Sequence, residues 1–257
     1  MTGERMSVTV TKLTAPNAGI HLFMAPVHAW HMNDVPLAMA EEVATFVTEK
    51  RRSEHLSGRW LLGVALEHWG VTDLSTIEVQ RTEHRAPFLT YIQGVWKRTP
   101  LPNISIAHSN DRVVVACASP EWVIGIDMEP EERTLAPNAF DMMAKGEELR
   151  YLREHPGEAM RLWTGKEAVQ KSLGLGMHLN PRDIGIPIGQ EDSHISIGKS
   201  IIQLEYWLER GFHISLAITP SKPSEPTPEE RLLEETRVAM QADPNWGVGC
   251  KTQRSGA

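Results

Sequence analysis

The chain has 257 residues, of which 41% are hydrophobic and 23% are charged, and its formal net charge is −7. This balance is typical of a globular protein with a sizeable core, and the negative charge argues against a nucleic-acid partner bound by bulk electrostatics. Cys117 and Cys250 are too few for a disulfide framework and indicate a reducing, cytoplasmic setting, while no apolar run is long enough to suggest a membrane partner.

The first part of the chain mixes strand and helix patterns behind a ragged lead-in at residues 1–19. Apolar alternation predicts strands and a longer apolar period predicts helices, with Gly70 placed to end the second helix. The predicted elements are a strand at 20–30, helices at 37–47 and 53–70, and strands at 77–82, 86–92, 103–109 and 112–119.

The second part repeats this order of strand, helices and strands. Its predicted elements are a strand at 121–129, helices at 141–155 and 158–174, and strands at 194–200, 202–209 and 212–219. The repetition indicates a duplicated unit, with an N-terminal subdomain at 20–119 and a C-terminal subdomain at 120–219. Its Pro and Glu content predicts that the segment 220–257 is a linker with a terminal helix and a disordered end.

Two acids end the strand that opens the second part, in the sequence "GIDMEP" at residues 125–130. Side chains two apart on a strand share a face, so Asp127 and Glu129 point the same way. One interpretation is a solvated strand end, broken by Pro130. The other is a hard-cation site, because two adjacent carboxylates repel unless a cation lies between them.

The stretch "LWTGKEAVQK" at residues 162–171 predicts a helix with an apolar stripe formed by Leu162, Trp163, Val169 and Leu173. Lys166 falls within this stripe, and Glu167 and Lys171 lie along its edge. A lysine on the core-facing side is costly unless an anion waits there. Glu167 and Lys171 are either an ordinary surface pair or a third carboxylate and a phosphate-facing lysine beside the acidic strand.

Taken together, these stretches resemble the signature of the 4′-phosphopantetheinyl transferase superfamily. "GIDME" is similar to its acidic strand, "WTGKEAVQK" to its motif helix, and "NISIAHSND" to its Ser-His-Ser strand upstream. The resemblance covers roughly residues 20 to 219, the length of the larger, surfactin-synthetase-associated type. It implies an α+β fold of two similar subdomains, each an antiparallel-rich sheet with helices, related by a pseudo-twofold axis within a monomer.

The resemblance also implies roles for the acidic residues. Mg²⁺, or Mn²⁺, which suits the same oxygen ligands, would be held by Asp127, Glu129 and Glu167 together with the pyrophosphate of coenzyme A. Glu167 would act as general base, directly or through water. Lys171 would contact phosphate and neutralise the leaving group.

The coenzyme A contacts implied by the resemblance come from basic residues of both parts. His108 matches a phosphate-binding histidine, although a histidine hydrogen-bonded in a turn is the plain alternative. Arg59 matches a basic residue of the second helix, and Lys166 is expected to face phosphate. The cluster Lys50, Arg51 and Arg52 either contributes or is simply a solvated helix end, and Lys50 and Arg52 are retained as candidates.

One departure from the family pattern concerns the segment "HRAPFL" at residues 84–89. The family has a basic residue immediately before this proline, whereas the chain has Ala86 before Pro87. The charge moves to Arg85, which would face the opposite side of an extended segment. Arg85, aided by a local bulge, or His84 is expected to compensate.

The implied activity is transfer of 4′-phosphopantetheine from coenzyme A to a serine of an apo acyl or peptidyl carrier protein. One alternative is a protein that binds coenzyme A or a carrier protein without chemistry. Another is an unrelated phosphotransferase that depends on a divalent metal. The sequence leaves open which carrier protein is served.

Overall fold

The structure is a computed structural model that describes residues 8–95, 98–189 and 193–221, together with Glu235. The described residues up to Ser221 form one compact unit. The linker and terminal helix expected at 220–257 lie outside the described residues, apart from Pro220, Ser221 and Glu235. The second cysteine, Cys250, lies outside them as well.

Strands and helices follow the predicted order over most of the described chain. The strands are β1 Thr11–Lys12, β2 Ile20–Pro26, β3 Ile77–Arg81, β4 Pro87–Tyr91, β5 Asn103–Ser109, β6 Arg112–Ala118, β7 Trp122–Pro130, β8 Ser193–Ile197, β9 Ser200–Glu209 and β10 Phe212–Pro220. The α-helices are α1 Ala40–Val43, α2 Glu49–Trp69, α3 Phe140–Met143, α4 Gly146–Glu154 and α5 Ala159–Ser172.

Two four-stranded antiparallel sheets and one hairpin carry the fold. The first sheet has the order β1-β2-β6-β5, the second has the order β7-β10-β9-β8, and β3 pairs with β4. In each sheet a strand, β2 or β7, is followed along the chain by helices that include a long one. The last strand, β6 or β10, then lies between that first strand and the strand that comes just before it in sequence, β5 or β9. This repeated topology and its mixture of helices with antiparallel sheets confirm the predicted α+β fold.

The sheets pack in layers between the two long helices. One face of β7 carries Ile124, Ile126 and Met128 into a core shared with Leu22 and Val114 of the first sheet. The opposite face of the second sheet is covered by α5, and the opposite face of the first sheet is covered by α2. The site residues of β7 therefore alternate with core residues, one position apart.

Helix α2 has the start and end signals that the sequence provides. The side chain of Thr48 accepts a hydrogen bond from the Arg51 amide, and Gly70 ends the helix with φ of 100°, a left-handed conformation that favours glycine. Neither α2 nor any other helix of the described chain is long and apolar enough to cross a membrane.

Three sequence predictions need correction. The helix expected at 37–47 is only α1, because the Thr45 hydroxyl donates to the Glu42 carbonyl after the last turn, and the next helix, α2, begins at Glu49. The helix expected at 141–155 is divided into α3 and α4. The lead-in is ordered from Val8 onward, since Thr11 and Lys12 pair with β2 and Leu13 is buried.

Helix α5 approaches β7 at Gly125 more closely than any side chain allows. A Cβ placed on Gly125 would lie 2.0 Å from the Ala168 carbonyl oxygen and 2.3 Å from the Ser172 amide nitrogen. Both obstacles are backbone atoms of the helix, so they cannot rotate away. The glycine of "GIDME" thus sets the distance between the strand and the helix.

We expect Gly125→Ala to destabilise the fold by about 3 kcal/mol, because the helix must move away from the strand. Urea unfolding measures this loss. Gly157→Ala is the matched control, since Gly157 has no atom within 4 Å of a Cβ placed on it. Its expected effect is within about 0.5 kcal/mol. Equal stabilities of the two variants would contradict the close approach at Gly125.

Candidate active site

Asp127 and Glu129 lie near the end of β7 on the face that α5 covers. In the pairing of β7 with β10, Asp127 is opposite Ser215 and Glu129 is opposite His213. The Ser215 hydroxyl lies 2.8 Å from the Thr164 hydroxyl of α5, which identifies this face as the helix side. The two acids therefore share a face, as the alternation of the strand predicts.

Asp127 is paired with the motif lysine of α5. The Lys171 Nζ donates to Asp127 Oδ1 at 2.6 Å and to the Ile126 carbonyl at 3.1 Å. Asp127 is only 8% exposed, and burial raises the pKa of its carboxyl group, with a further contribution from the Glu129 charge, although Lys171 acts in the opposite direction. The buried pair fixes Lys171 against the strand.

Glu129 is held by two donors from outside α5. The Ser109 hydroxyl at the end of β5 donates to Glu129 Oε2 at 2.5 Å, and Arg133 Nη1 lies 2.6 Å from the same oxygen. A strand of the first sheet thus contributes directly to the acidic group of the second.

Glu167 completes the acidic group from the helix. Burial raises the pKa of its carboxyl group, and the charges of Asp127 and Glu129 raise it further. The three carboxylates therefore act on one another across the gap between strand and helix. This mutual repulsion is what a divalent cation relieves, and three carboxylates are a donor set that suits a hard cation.

The carboxylates are not drawn together in the structure. No group of three or more His, Cys, Asp or Glu side chains in the described ranges is close enough to hold a metal ion. Lys171 neutralises Asp127 and Arg133 neutralises Glu129, so each acid has a protein cation as its neighbour. The residues fit a divalent cation in kind, and binding would require them to converge.

A cationic cavity of about 490 Å³ opens beside this group, and we call it the anion cavity. Its titratable lining residues are Arg51, Glu54, His55, Arg59, Arg81 and His108. Two of the predicted contacts, Arg59 and His108, lie here. The other two candidates from α2, Lys50 and Arg52, are not among its lining residues, and Lys50 is 72% exposed beside Glu54.

Arg59 is buried in the wall of the anion cavity with only part of its guanidinium satisfied. It is 2% exposed, and its Nη2 donates to Glu42 Oε2 at 3.0 Å. Its Nε and Nη1 are buried and have no hydrogen-bond partner in the described chain. Burial lowers the pKa of the guanidinium, and the Glu42 carboxylate opposes this effect.

His108 connects the anion cavity with the acidic group. Its Nδ1 lies 3.6 Å from Glu54 Oε2, and burial lowers the pKa of the imidazole. The Glu54 charge opposes this shift and the Lys171 charge adds to it, so the ring lies within the field of both sites.

Sequence reasoning missed Arg81. This residue ends β3, opposite Pro87 in the β3–β4 hairpin. It lines the anion cavity, and its side chain donates to Glu42. Its Nη1 also donates to the Arg85 carbonyl at 2.8 Å. The hairpin pairing was the available signal, because it brings the guanidinium of Arg81 beside the proline that follows Ala86.

Arg85 and Lys171 line a second cavity of about 380 Å³, which we call the arm cavity. Much of its wall is apolar, with Phe88, Ile104 and Ile124 among the lining residues, and it also includes Ala86. Pro87 and Ile106 line both cavities, which are therefore neighbours. The ring of His84 packs against that of His178 with centroids 4.6 Å apart.

The prediction that Lys166 faces phosphate is wrong. Lys166 is 1% exposed, and its Nζ donates to Glu148 Oε2 at 2.7 Å, to the Pro181 carbonyl at 3.0 Å and to the Ile184 carbonyl. All three N–H groups are used inside the protein. The expected anion is present, but it is the carboxylate of Glu148.

We expect Lys166→Met to lower the free energy of unfolding by about 3 kcal/mol or more, because it leaves Glu148 without its counter-charge. Urea unfolding measures the loss, and adding Glu148→Met should restore part of it. Arg150→Met, which breaks an exposed pair with Glu147, is the control and should stay within about 0.5 kcal/mol. A small loss for Lys166→Met would contradict the buried pair.

A second prediction concerns pH and Mg²⁺. Because the folded-state pKa values of Asp127 and Glu167 are raised, the folded protein takes up protons at a higher pH than the unfolded chain does. The repulsion between the carboxylates therefore destabilises the fold most at neutral pH and is relieved as the pH falls. Without metal, Glu167→Gln should therefore raise the free energy of unfolding at pH 7. This gain should vanish below a pH of about 4, where the carboxyl group is protonated in both states.

Urea unfolding at several pH values, in a buffer that contains a metal chelator, measures the difference in unfolding free energy between Glu167→Gln and the parent. Adding MgCl₂ at pH 7 should raise the thermal midpoint of the parent more than that of Glu167→Gln. Glu147→Gln removes an exposed carboxylate from α4 and serves as the control. If Glu167→Gln followed the pH and Mg²⁺ dependence of the parent, Glu167 would not belong to the acidic group.

Comparison with known proteins identifies the part of the chain that carries the acidic group. The sequence model of the 4′-phosphopantetheinyl transferase superfamily matches residues 123–217, which extend from β7 through α5 to β10. No curated protein matches the chain. The matched segment contains Asp127, Glu129, Glu167 and Lys171, so the part of the chain that is similar to this superfamily is the part that carries the acidic group.

Proposed function

We propose that the protein transfers the 4′-phosphopantetheine group of coenzyme A to a serine of an apo acyl or peptidyl carrier protein and releases 3′,5′-ADP. The observation that carries this proposal is the meeting of Asp127 and Lys171 beside Glu167, within the matched domain and next to a cationic cavity. The domain favours phosphopantetheine transfer, and the neighbouring cavities supply a place for its donor.

Coenzyme A combines a phosphorylated nucleotide with a long uncharged arm, and the two cavities match these parts. Arg59, Arg81 and His108 of the anion cavity suit phosphate groups, because guanidinium forks bind phosphate oxygens in pairs. The mostly apolar arm cavity, with Lys171 in its wall, suits the pantetheine arm. Arg85 would approach the ligand from this second cavity.

In the proposed reaction, the serine oxygen attacks the β-phosphorus of coenzyme A. The bond between that phosphorus and the oxygen bridging to the α-phosphate breaks, and the oxygen leaves with 3′,5′-ADP. The serine proton passes to Glu167, directly or through water. Burial and neighbouring carboxylates raise the pKa of Glu167, which makes it a better base than an exposed glutamate.

In this proposal, Lys171 would meet the charge that develops on the leaving oxygen. Two of its three N–H groups bind Asp127 and the Ile126 carbonyl within the described chain, which fixes the direction of the third. A fixed ammonium stabilises developing negative charge at little reorganisation cost.

Asp127, Glu129 and Glu167 are the residues that would hold Mg²⁺, or Mn²⁺ in its place. The bound cation would withdraw charge from the diphosphate and offset the repulsion among the three carboxylates. In its absence, Lys171 and Arg133 balance two of these charges.

The remaining parts of the proposal concern the acceptor and the assembly. Carrier proteins are acidic helical bundles and this chain is itself net negative, so docking would rely on local apolar and basic patches. The repeated topology supports a monomer with an internal pseudo-twofold axis, as in the surfactin-synthetase-associated type. Cys117 is a buried free thiol, and burial raises its pKa to about 12. A free thiol is consistent with a reducing, cytoplasmic setting.

The competing proposal is a protein that binds coenzyme A or a carrier protein without chemistry. The absence of a basic residue immediately before Pro87 favours this competing proposal. However, Arg81 is paired opposite Pro87 and supplies a guanidinium to the wall of the same cavity. The Lys171–Asp127 pair and the raised pKa of Glu167 are features that a binding protein does not need.

The deciding experiment incubates the full chain with an apo carrier protein, coenzyme A and MgCl₂, and follows the mass of the carrier protein. We expect a gain of one phosphopantetheine group. Glu167→Gln should lower the rate by at least about 100-fold, because a base is lost while the size is kept. Asp127→Ala should weaken the dependence on Mg²⁺, and exposed Glu147→Gln should match the parent.

No mass gain with any carrier class would favour the binding protein, and a gain of phosphate alone would favour an unrelated phosphotransferase. Near-normal turnover by Glu167→Gln would remove this residue from the roles of base and metal ligand. A metal titration of Asp127→Ala that matches the parent would show that the acidic pair is wrongly assigned.

A further inference from the structure

Two arginines in the wall of the anion cavity are already paired with an anion that belongs to the chain. Glu42, from the four-residue helix α1, places its carboxylate among three nitrogen-bearing side chains of the cavity wall. Its Oε2 accepts from Arg59 Nη2 at 3.0 Å and lies 3.6 Å from His55 Nε2, and its Oε1 accepts from the guanidinium of Arg81. The Glu42 side chain is 13% exposed and is not among the lining residues of the cavity, so it meets the two arginines from behind the cavity wall.

One carboxylate does not satisfy the donors that surround it. Arg59 Nε, Arg59 Nη1 and His55 Nε2 are buried and have no hydrogen-bond partner in the described ranges. A buried donor without a partner costs about 1–3 kcal/mol, so these atoms favour an additional acceptor, which they can reach only when their side chains shift toward the cavity. A phosphate group offers more acceptor oxygens than a carboxylate and meets a guanidinium in pairs.

The charges lead to the same ligand. Arg59 and Arg81 carry two positive charges, and Glu42 returns one, while burial lowers the pKa of His55 to about 4 and keeps that ring neutral at pH 7. Across the cavity, Glu54 is balanced by Arg51 at 3.1 Å. A phosphate monoester carries a charge of about −1.5 to −2 at neutral pH, which matches the two guanidinium groups once Glu42 is gone.

We propose that Glu42 is an internal ligand of Arg59 and Arg81, which gives up both side chains when the 3′-phosphate monoester of coenzyme A binds in the anion cavity. Arg81 is then a specificity-determining residue for that phosphate. This inference rests on the proposed function for the identity of the nucleotide. The carboxylate turns toward solvent, while neighbouring Val43 stays packed against Val35 and Leu56.

This exchange makes the cavity selective. Any anion must compete with a carboxylate that is already hydrogen-bonded in place, so a neutral ribose hydroxyl gains nothing by entering. A doubly charged phosphate monoester gains both guanidinium groups and the unsatisfied donors of Arg59. Coenzyme A is thereby favoured over dephospho-coenzyme A, which differs only by that phosphate.

The test measures dissociation constants of the full chain by calorimetry with no carrier protein present, so that no chemistry intervenes. Glu42→Gln should bind coenzyme A about tenfold more tightly, because the competing charge is lost, and should bind dephospho-coenzyme A within about twofold of the parent. Glu41→Gln removes the same charge from an exposed neighbour on the same helix and is the matched control. It should leave both constants within about twofold.

Arg81→Gln tests the other half of the exchange. It should weaken binding of coenzyme A by at least about tenfold and change dephospho-coenzyme A by about twofold or less, since one guanidinium of the phosphate site is lost. Thermal midpoints of all variants are recorded to verify that they fold. Equal weakening for both nucleotides would remove Arg81 from recognition of the 3′-phosphate.

If Glu42→Gln bound coenzyme A no more tightly than the parent does, the proposed exchange between Glu42 and phosphate would be overturned. Such a result would make Glu42 a scaffold that orients the two arginines. Tightening of both nucleotides to the same degree would overturn the assignment to the 3′-phosphate.

Inorganic phosphate separates this inference from the proposed function. Raising its concentration at constant ionic strength should increase the thermal midpoint of Glu42→Gln more than those of the parent and Glu41→Gln. A protein that shows this difference but transfers no phosphopantetheine keeps the exchange and loses the proposed function. A protein that transfers the group without showing the difference loses the exchange alone.

Discussion

The backbone contact between Gly125 and helix α5 is the constraint on which the acidic site depends. With the Ala168 carbonyl against the glycine, the helix lies close enough for Lys171 to reach across and bind Asp127. Glu167, four residues before Lys171, then faces the same strand. A residue without a side chain in "GIDME" is therefore as necessary to the site as the two acids that follow it, because it sets the distance that their partners must span.

Two sites of opposite charge adjoin one another, and each is balanced by the protein in the same way. The acidic group on β7 and α5 has Lys171 and Arg133 as counter-charges, and the arginines that line the anion cavity have Glu42 and Glu54. Burial makes unbalanced charge costly, so a chain without ligands has to supply these partners itself. His108, within the field of both Glu54 and Lys171, lies where the two sites meet.

Local patterns predicted most of the strands, the long helices and the residues of the acidic group, because these follow from alternation and helical period. Side chains whose partners lie far along the chain were harder. Lys166 was correctly expected to meet an anion, but no pattern near it identifies Glu148. Arg81 depends on the pairing of a hairpin, and the role of Glu42 depends on a helix too short to be recognised from periodicity. The order of the lead-in from Val8 arises from tertiary pairing with β2, which overrides a weak local signal.

Side chains along β5 of the first sheet form hydrogen bonds to β7 of the second sheet and join the two sheets. Asn103 Nδ2 donates to the Trp122 carbonyl, the Ser105 hydroxyl accepts from the Ile126 amide, and the Ser109 hydroxyl donates to Glu129. Since β5 and β7 are each the outermost strand of their sheet, these bonds cover two open edges with each other. An uncovered edge is the usual template for unwanted self-association, and here it is closed off inside one chain. The seam that holds Glu129 in place therefore also guards the molecule against aggregation.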